Sequence, residues 1–263
     1  MKGVIAMKLW TINTHSLLEQ DYERKLQDFA AAVFEEKPDI IAMQEVNQLH
    51  ISDNVKVNGD NHVCRAVKLL EDKGVGYYWH WLPLKLGYSK YDEGLAIMSR
   101  TKITETDEFL ISGVSDYTNW KTRKILGIKT DGLDDWFYTV HMGWWNDVEE
   151  PFCEQWERLK KHISVKERVW LMGDFNSRAD VRNEGYDLVT NDGFYDTYLL
   201  AAEKDSGITA RGSIDGWSES GLNKARIDYI LCSEKINVKS TRVIFNNQNY
   251  RAISDHYGLE IIL

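Results

Sequence analysis

The sequence predicts an α/β fold in which helices cover the faces of β-sheets. Three observations carry this. Short apolar runs of strand length recur along the chain, stretches with helical periodicity fall between some of them, and no repeat or Pro/Gly/Ser-rich linker interrupts the series. The 263 residues are read as one domain, 1–263, large enough to hold a core without disulfides or a structural metal.

Met7 to Ile12 reads as a buried strand. From Asp21 to Glu36, apolar residues at Leu26, Phe29, Ala30, Val33 and Phe34 follow the i, i+3, i+4 spacing of an amphipathic helix, which Pro38 stops. Ile40 to Gln44 reads as a strand ending at Glu45. A second helix is predicted over Cys64 to Lys73, closed by Gly74 at a position favouring the left-handed conformation. Strand-like runs follow at Tyr77 to Leu82, Gly94 to Ser99, Lys124 to Lys129 and Trp136 to His141. Then come a helix over Phe152 to Ser164 and strands over Val169 to Met172, Arg226 to Cys232 and Tyr257 to Leu263.

Polar residues stand where these apolar runs end: Asn13, Glu45, His141 and Asp174, with Asp255 and His256 just before the last strand. If the strand ends share one rim, their ionisable and amide groups converge there. Hydrolysis of a phosphoester needs charge neutralised on the phosphoryl oxygens and a water activated. Oxygen ligands holding a hard cation suit the first task. Glu45 is the best single ligand candidate, with Asn13 and Asp255 as companions; the plainer alternative for Glu45 is a solvated strand terminus.

In Gly173-Asp174-Phe175-Asn176 the two polar residues lie two apart, so both can project to one side of an extended segment. Asp174 could then orient a water while Asn176 holds a phosphate oxygen or metal; an Asx turn closing the strand is the alternative. Asp228 sits in an apolar strand, where a lone carboxylate is costly to bury. Pairing with His256 would remove that cost and orient the imidazole.

Taken together, WTINTH (10–15), KPDIIAMQEV (37–46), GLAIMSR (94–100), YTVHMGWW (138–145), LMGDFNSRAD (171–180), RIDYILCS (226–233) and ISDHYGLEIIL (253–263) resemble the endonuclease/exonuclease/phosphatase family, in order and over nearly the whole chain. The resemblance implies an α/β four-layer sandwich: two mixed β-sheets packed face to face and flanked by helices. It implies Glu45 as principal metal ligand with Asn13 beside it and Asp255 as a second metal-side carboxylate, and Mg²⁺ (or Mn²⁺) as the cofactor. It further implies Asp174 orienting the water, Asn176 on the phosphate, and His256 binding phosphate with Asp228 behind it. His141 matches the family's T-H-L histidine, here T-V-H-M, which leaves its role open between transition-state stabiliser and acid. Arg123 falls where relatives place a basic residue facing phosphate; a surface arginine is the alternative.

Composition bears on the substrate. A formal charge of −9, from 41 acidic and 32 basic residues, argues against nucleic acid, whose binding draws on a basic face. Ten Trp and 13 Tyr suit sugar rings, and Trp144 and Trp145, three and four residues after His141, are the predicted substrate contacts. The reading is a cytoplasmic Mg²⁺-dependent phosphatase acting on a small sugar phosphate such as maltose 6'-phosphate. The alternatives are a nuclease or other phosphodiesterase and, more distantly, a non-catalytic binding module. Met1 to Trp10 lacks the apolar run of an export signal, and no stretch reaches the ~18 apolar residues of a membrane span. The three cysteines, Cys64, Cys153 and Cys232, show no pairing pattern and read as reduced buried thiols.

Overall fold

The computed structural model describes residues 7–212, 214, 217 and 224–263; residues 1–6, over which part of the export-signal reading was made, lie outside them. Strand β1 (Lys8–Asn13) pairs in parallel with β2 (Ile40–Leu49), and α1 (Tyr22–Glu36) makes the crossover between them. Along both strands side chains alternate between two hydrophobic layers. Leu9, Ile40 and Ala42 face the interior between the sheets, while Trp10, Ile12, Ile41 and Met43 face outward under α1. A strand covered on both faces reads as an unbroken apolar run, which is why these were visible in the sequence.

The remaining elements are α2 (His62–Glu71), β3 (Tyr78–Gly87), β4 (Tyr91–Ser99), β5 (Ile103–Leu110), β6 (Lys124–Thr130), β7 (Trp136–His141), α3 (Phe152–Ile163) and β8 (Val169–Asp174). After them come α4 (Gly185–Asn191), β9 (Tyr195–Asp196), α5 (Thr197–Leu200), β10 (Ala201–Lys204), β11 (Asp228–Cys232), β12 (Val238–Ile244) and β13 (Gly258–Ile262). They form two mixed sheets: seven strands in the order β10-β12-β13-β1-β2-β4-β3, and six in the order β5-β6-β7-β8-β11-β9. Leu9, Ile97, Phe137, Trp170, Met172 and Ile230 interlock between the sheets. Outside one sheet, Phe29 of α1 and Leu70 of α2 join Trp10 of β1 in one apolar layer; outside the other, Trp156 of α3 and Tyr186 of α4 join Tyr138 of β7 in another. The result is a four-layer sandwich. Truncating a fully buried ring such as Phe29 to Ala would cost roughly 3–5 kcal/mol.

Helix ends follow local chemistry. The Asn61 side chain accepts from the backbone N–H groups of Val63 and Cys64, which starts α2 at His62, ten residues long and ending at Glu71. Gly74, at φ +77°, donates its N–H to Glu71 O and turns the chain. Lys37 caps α1 in the left-handed region, its N–H donating to Val33 O before Pro38.

Several expectations need correction. Strand β2 does not end at Glu45 but continues to Leu49 through a bulge between Met43 and Val46. Strand β3 runs on to Gly87 and β4 begins at Tyr91, so the hairpin is longer than either apolar run suggested. The cysteines are free, but only Cys232 is buried; Cys64 is half-buried and Cys153 exposed on α3. No helix among the described residues is long and apolar enough to cross a membrane.

Candidate active site

Register brings three predicted residues into one row. His141 at the end of β7 lies opposite Asp174 of β8, which lies opposite Asp228 of β11. From the other sheet, Asn13 ends β1 and Glu45 stands in the β2 bulge. His256 enters just ahead of β13.

The β2 bulge is what aims Glu45. Its backbone adopts φ +51°, unfavourable for a residue with a Cβ, and the neighbouring loop holds it there. Ser16 Oγ donates to Glu45 O at 2.7 Å, and Thr14 Oγ donates to the carbonyls of Gln44 and Glu45 at 2.9 and 3.1 Å. Beneath, Gln44 Nε2 donates to Thr139 Oγ at 2.7 Å and Thr139 Oγ to Met43 O at 3.1 Å, which ties the two sheets together under the site.

Gly173 sets the row's geometry. Its φ is +152°, and a Cβ there would lie 2.0 Å from Val140 O. Only glycine lets β7 and β8 come this close, one residue before His141 and Asp174. Asn176, at φ +46°, turns back so that its N–H donates to Asp174 Oδ1 at 2.8 Å. Its amide is held on both sides: Nδ2 donates to Met142 O at 2.9 Å, and Trp217 Nε1 donates to Oδ1 at 3.0 Å.

Asp174 Oδ2 is the point of convergence. Asn13 Nδ2 donates to it at 3.2 Å, while His141 Nε2 and His256 Nε2 each stand 3.7 Å away. Asn13 Nδ2 also donates to Glu45 Oε1 at 2.9 Å, and His141 Nε2 lies 3.9 Å from the same oxygen. Behind His256, Nδ1 is 3.0 Å from Asp228 Oδ2. Asp228 is fully buried, so the pairing supplies the partner that a carboxylate in an apolar strand needs.

The two histidines are driven in opposite directions. Burial alone would lower the His256 imidazole, but Asp228 and Asp174 outweigh it and hold it well above its ordinary range as an imidazolium. Burial lowers His141 well below that range, and Arg123, Lys85 and His256 add to the effect, so His141 is neutral. Burial raises the Glu45 carboxyl, with Glu93 adding to it; burial likewise raises Asp174, with Asp228 adding and His256 opposing. This crowding of carboxylate oxygens beside an amide is a donor set that fits a hard divalent cation, which would relieve the repulsion.

Asp255 stands on a flank of this cluster. Its N–H donates to Glu19 Oε1 at 3.1 Å, and its carboxylate lies 3.9 Å from His15 Nδ1, near enough for its charge to act on Glu45. His15, Glu19 and Asp255 form a compact group of their own. His15 was not anticipated; its clue, a histidine two residues after Asn13, is weak.

The cluster opens into a cavity of about 510 Å³. Arg123 lines it and is only 2% exposed, so the surface-arginine alternative falls. Its guanidinium is fixed by Nη1 donating to Trp120 O at 2.9 Å. Trp144 also lines the cavity, its ring 5.5 Å from that of Trp120, and Tyr88 stands at the mouth. Trp145 does not line it. That residue lies in the turn that follows β7, where Asp147 N–H donates to Trp144 O, and its ring packs 6.1 Å from Phe152 of α3. Sequence reasoning also missed Lys85 and Glu93, cross-strand neighbours on β3 and β4 that form an ion pair of 3.1 Å in the cavity wall. The available signal was a charged residue continuing each apolar run, in PLKLG and YDEGL.

The sequence profile of the Endonuclease/Exonuclease/phosphatase family matches residues 10–256. Among solved structures, an endonuclease/exonuclease/phosphatase family protein from Leptotrichia buccalis C-1013-b is 34% identical at TM-score 0.89, with 98% of this chain and 99% of that chain covered. A Bacteroides thetaiotaomicron VPI-5482 mannosyl-6-phosphatase is 20% identical at TM-score 0.65, covering 98% and 99%. TDP2 from C. elegans is 16% identical at TM-score 0.64, covering 98% and 75%. At such identities the last two show the fold alone. No curated protein matches the sequence significantly. The two packed mixed sheets are those of the DNase I-like fold, and the chain belongs to the endonuclease/exonuclease/phosphatase family, hydrolases of phosphoester bonds.

Proposed function

We propose that this protein is a Mg²⁺-dependent phosphatase, with Mn²⁺ able to substitute, that releases phosphate from a small soluble sugar phosphate. Residues 1–263 would act as one domain, in the cytoplasm. The observation that carries the reading is the cavity itself. A buried arginine and two histidines stand at its floor, and Trp120, Trp144 and Tyr88 stand along its wall and mouth. Flat aromatic faces suit the C–H patches of a sugar ring, and a cavity of this size suits a small leaving group better than a duplex.

In this reading Glu45 holds the cation, with Asn13 beside it and Asp255 from the flank. A bound cation supplies Lewis-acid neutralisation of phosphoryl charge. The protein's own groups do the rest. Asp174, its carboxyl raised toward neutrality, orients a water and accepts its proton. His256, kept cationic by Asp228, and Arg123 donate hydrogen bonds to the phosphoryl oxygens. Asn176 fixes Asp174, and neutral His141 stands where it can hydrogen-bond a phosphoryl or leaving oxygen.

The family also hydrolyses phosphodiesters, so the test is a phosphate-release panel of sugar phosphates, nucleotides and abasic DNA, with and without Mg²⁺. Release from sugar phosphates only with the cation supports the proposal. Cleavage of DNA in preference to every sugar phosphate overturns it.

A further inference from the structure

The cavity wall holds polar atoms that the protein itself does not satisfy. Among the described residues, Glu93 Oε1 is paired with the Lys85 ammonium at 3.1 Å, whereas Trp144 Nε1 and Arg123 Nε are buried without a hydrogen-bond partner. All three residues line the cavity, and the first and last are 4% and 2% exposed. Buried polar atoms left unpaired are few in folded proteins and costly, so two donors along one wall, beside the Glu93 carboxylate, point to a ligand that completes them.

The set has a distinctive chemistry: one carboxylate acceptor together with indole and guanidinium donors. A phosphate dianion offers acceptors only, so it can satisfy Arg123 and Trp144 but has no proton to donate to the Glu93 carboxylate. A hydroxyl offers both a proton and lone pairs, and adjacent hydroxyls on one ring can serve both kinds of atom.

Glu93 is held for this task. The register shift between Pro83 and Lys85 places Lys85 directly opposite Glu93, and their ion pair leaves the wall net neutral. Lys85 Nζ also donates to Trp120 O at 3.0 Å, linking the acidic wall to the aromatic one. A Cβ on Gly87 would stand 3.1 Å from Glu93 Oε2, so the glycine leaves that oxygen its room.

We infer that Glu93, backed by Lys85, and Trp144 form a specificity subsite that reads the hydroxyls of a polyhydroxylated ring in the leaving group. The inference rests on the phosphatase reading and adds the residues that choose the substrate.

The test uses the full chain with Mg²⁺. The best-hydrolysed member of a sugar-phosphate panel is compared with cyclohexylmethyl phosphate, which keeps a six-membered ring but has no hydroxyl. The readout is the ratio of the two kcat/KM values. Wild type is expected to favour the sugar phosphate by more than about tenfold. Glu93→Gln should cut that preference roughly 10- to 100-fold, as loss of hydrogen bonds to a charged group does. Trp144→Phe, which keeps an aromatic face and loses the N–H, should cut it roughly 3- to 10-fold. If Glu93→Gln does not fold, Trp144→Phe alone decides. No preference in wild type, or equal loss on both substrates in the folded variants, overturns the subsite and leaves the phosphatase reading standing. Release of phosphate from neither compound nor any panel member overturns both.

Discussion

Replacing Gly173 by Ala tests whether the close approach of β7 and β8 builds the site. The added Cβ would meet Val140 O at 2.0 Å and Gln44 Nε2 at 2.9 Å. Carbon and carbonyl oxygen need more than about 3 Å, so the strands must part by about 1 Å where both are buried on all sides. Backbone in a glycine-only region costs roughly 1–3 kcal/mol, and overpacking roughly 1–3 kcal/mol more. Together that is about 2–6 kcal/mol, with the strain falling beside His141 and Asp174. For a chain of this size the melting temperature should fall by roughly 5–15 °C. A misplacement of about 1 Å at the reacting groups costs on the order of 100-fold in turnover. The assay is thermal unfolding with kcat for phosphate release, both below the variant's transition. Gly132→Ala is the control: its φ is also positive, +80°, but its Cβ would meet nothing within 4 Å, so only about 1 kcal/mol should be lost and activity kept. If Gly173→Ala behaves like Gly132→Ala, the close approach does not build the site.

Asp228→Asn keeps the volume behind His256 and removes the charge; kcat/KM should fall roughly 10- to 100-fold while far-UV circular dichroism stays native, and unchanged kcat/KM would remove the orienting role. Trp144→Ala should impair a sugar phosphate more than para-nitrophenyl phosphate, whereas Trp145→Ala should chiefly lower stability; steady-state kinetics on both substrates with melting curves separates them, and the reverse pattern would contradict the cavity lining. Far from the site, Glu36 is a test of linkage. Burial would raise its carboxyl, but hydrogen bonds from Lys8, Arg242 and Tyr250 bring it down to about 2. Its contribution is therefore present above the unfolded value near 4.5 and lost as pH falls from there toward about 2. Glu36→Gln should cost on the order of 1 kcal/mol at pH 7, after discounting for the partly exposed Arg242, and the gap to wild type should close in acid denaturation series. A gap constant from pH 7 to 3 would contradict it.

The strands legible in the sequence were those buried on both faces. β1, β7 and β8 show as apolar runs because each lies between a sheet interior and a helix layer. β5, with its TETDE stretch largely exposed, carries no such run and was not read. Truncated hairpin strands hid Lys85 and Glu93, since a charged residue ends an apolar pattern even when the strand goes on. Within the candidate site, register at strand ends did most of the assembling. His141, Asp174 and Asp228 are far apart in sequence yet lie in register, so two strand-end readings and one carboxylate read within a strand became one row. The Asp228–His256 pairing was legible because an isolated carboxylate in RIDYIL demands a partner. Which of two adjacent tryptophans faces the cavity was not, because that depends on the turn after β7 and on α3, neither of which a dipeptide encodes.

The central claim is that Glu45 supports cation-dependent phosphate release. The most direct measurement is the rate of release from the preferred sugar phosphate across a Mg²⁺ titration, for wild type and Glu45→Gln of equal melting temperature. Wild type should be silent in EDTA and rise to saturation with Mg²⁺, while Glu45→Gln should stay at least about 1,000-fold below it, as loss of a group that stabilises transition-state charge implies. Full turnover in EDTA, or wild-type turnover in Glu45→Gln, would contradict the account.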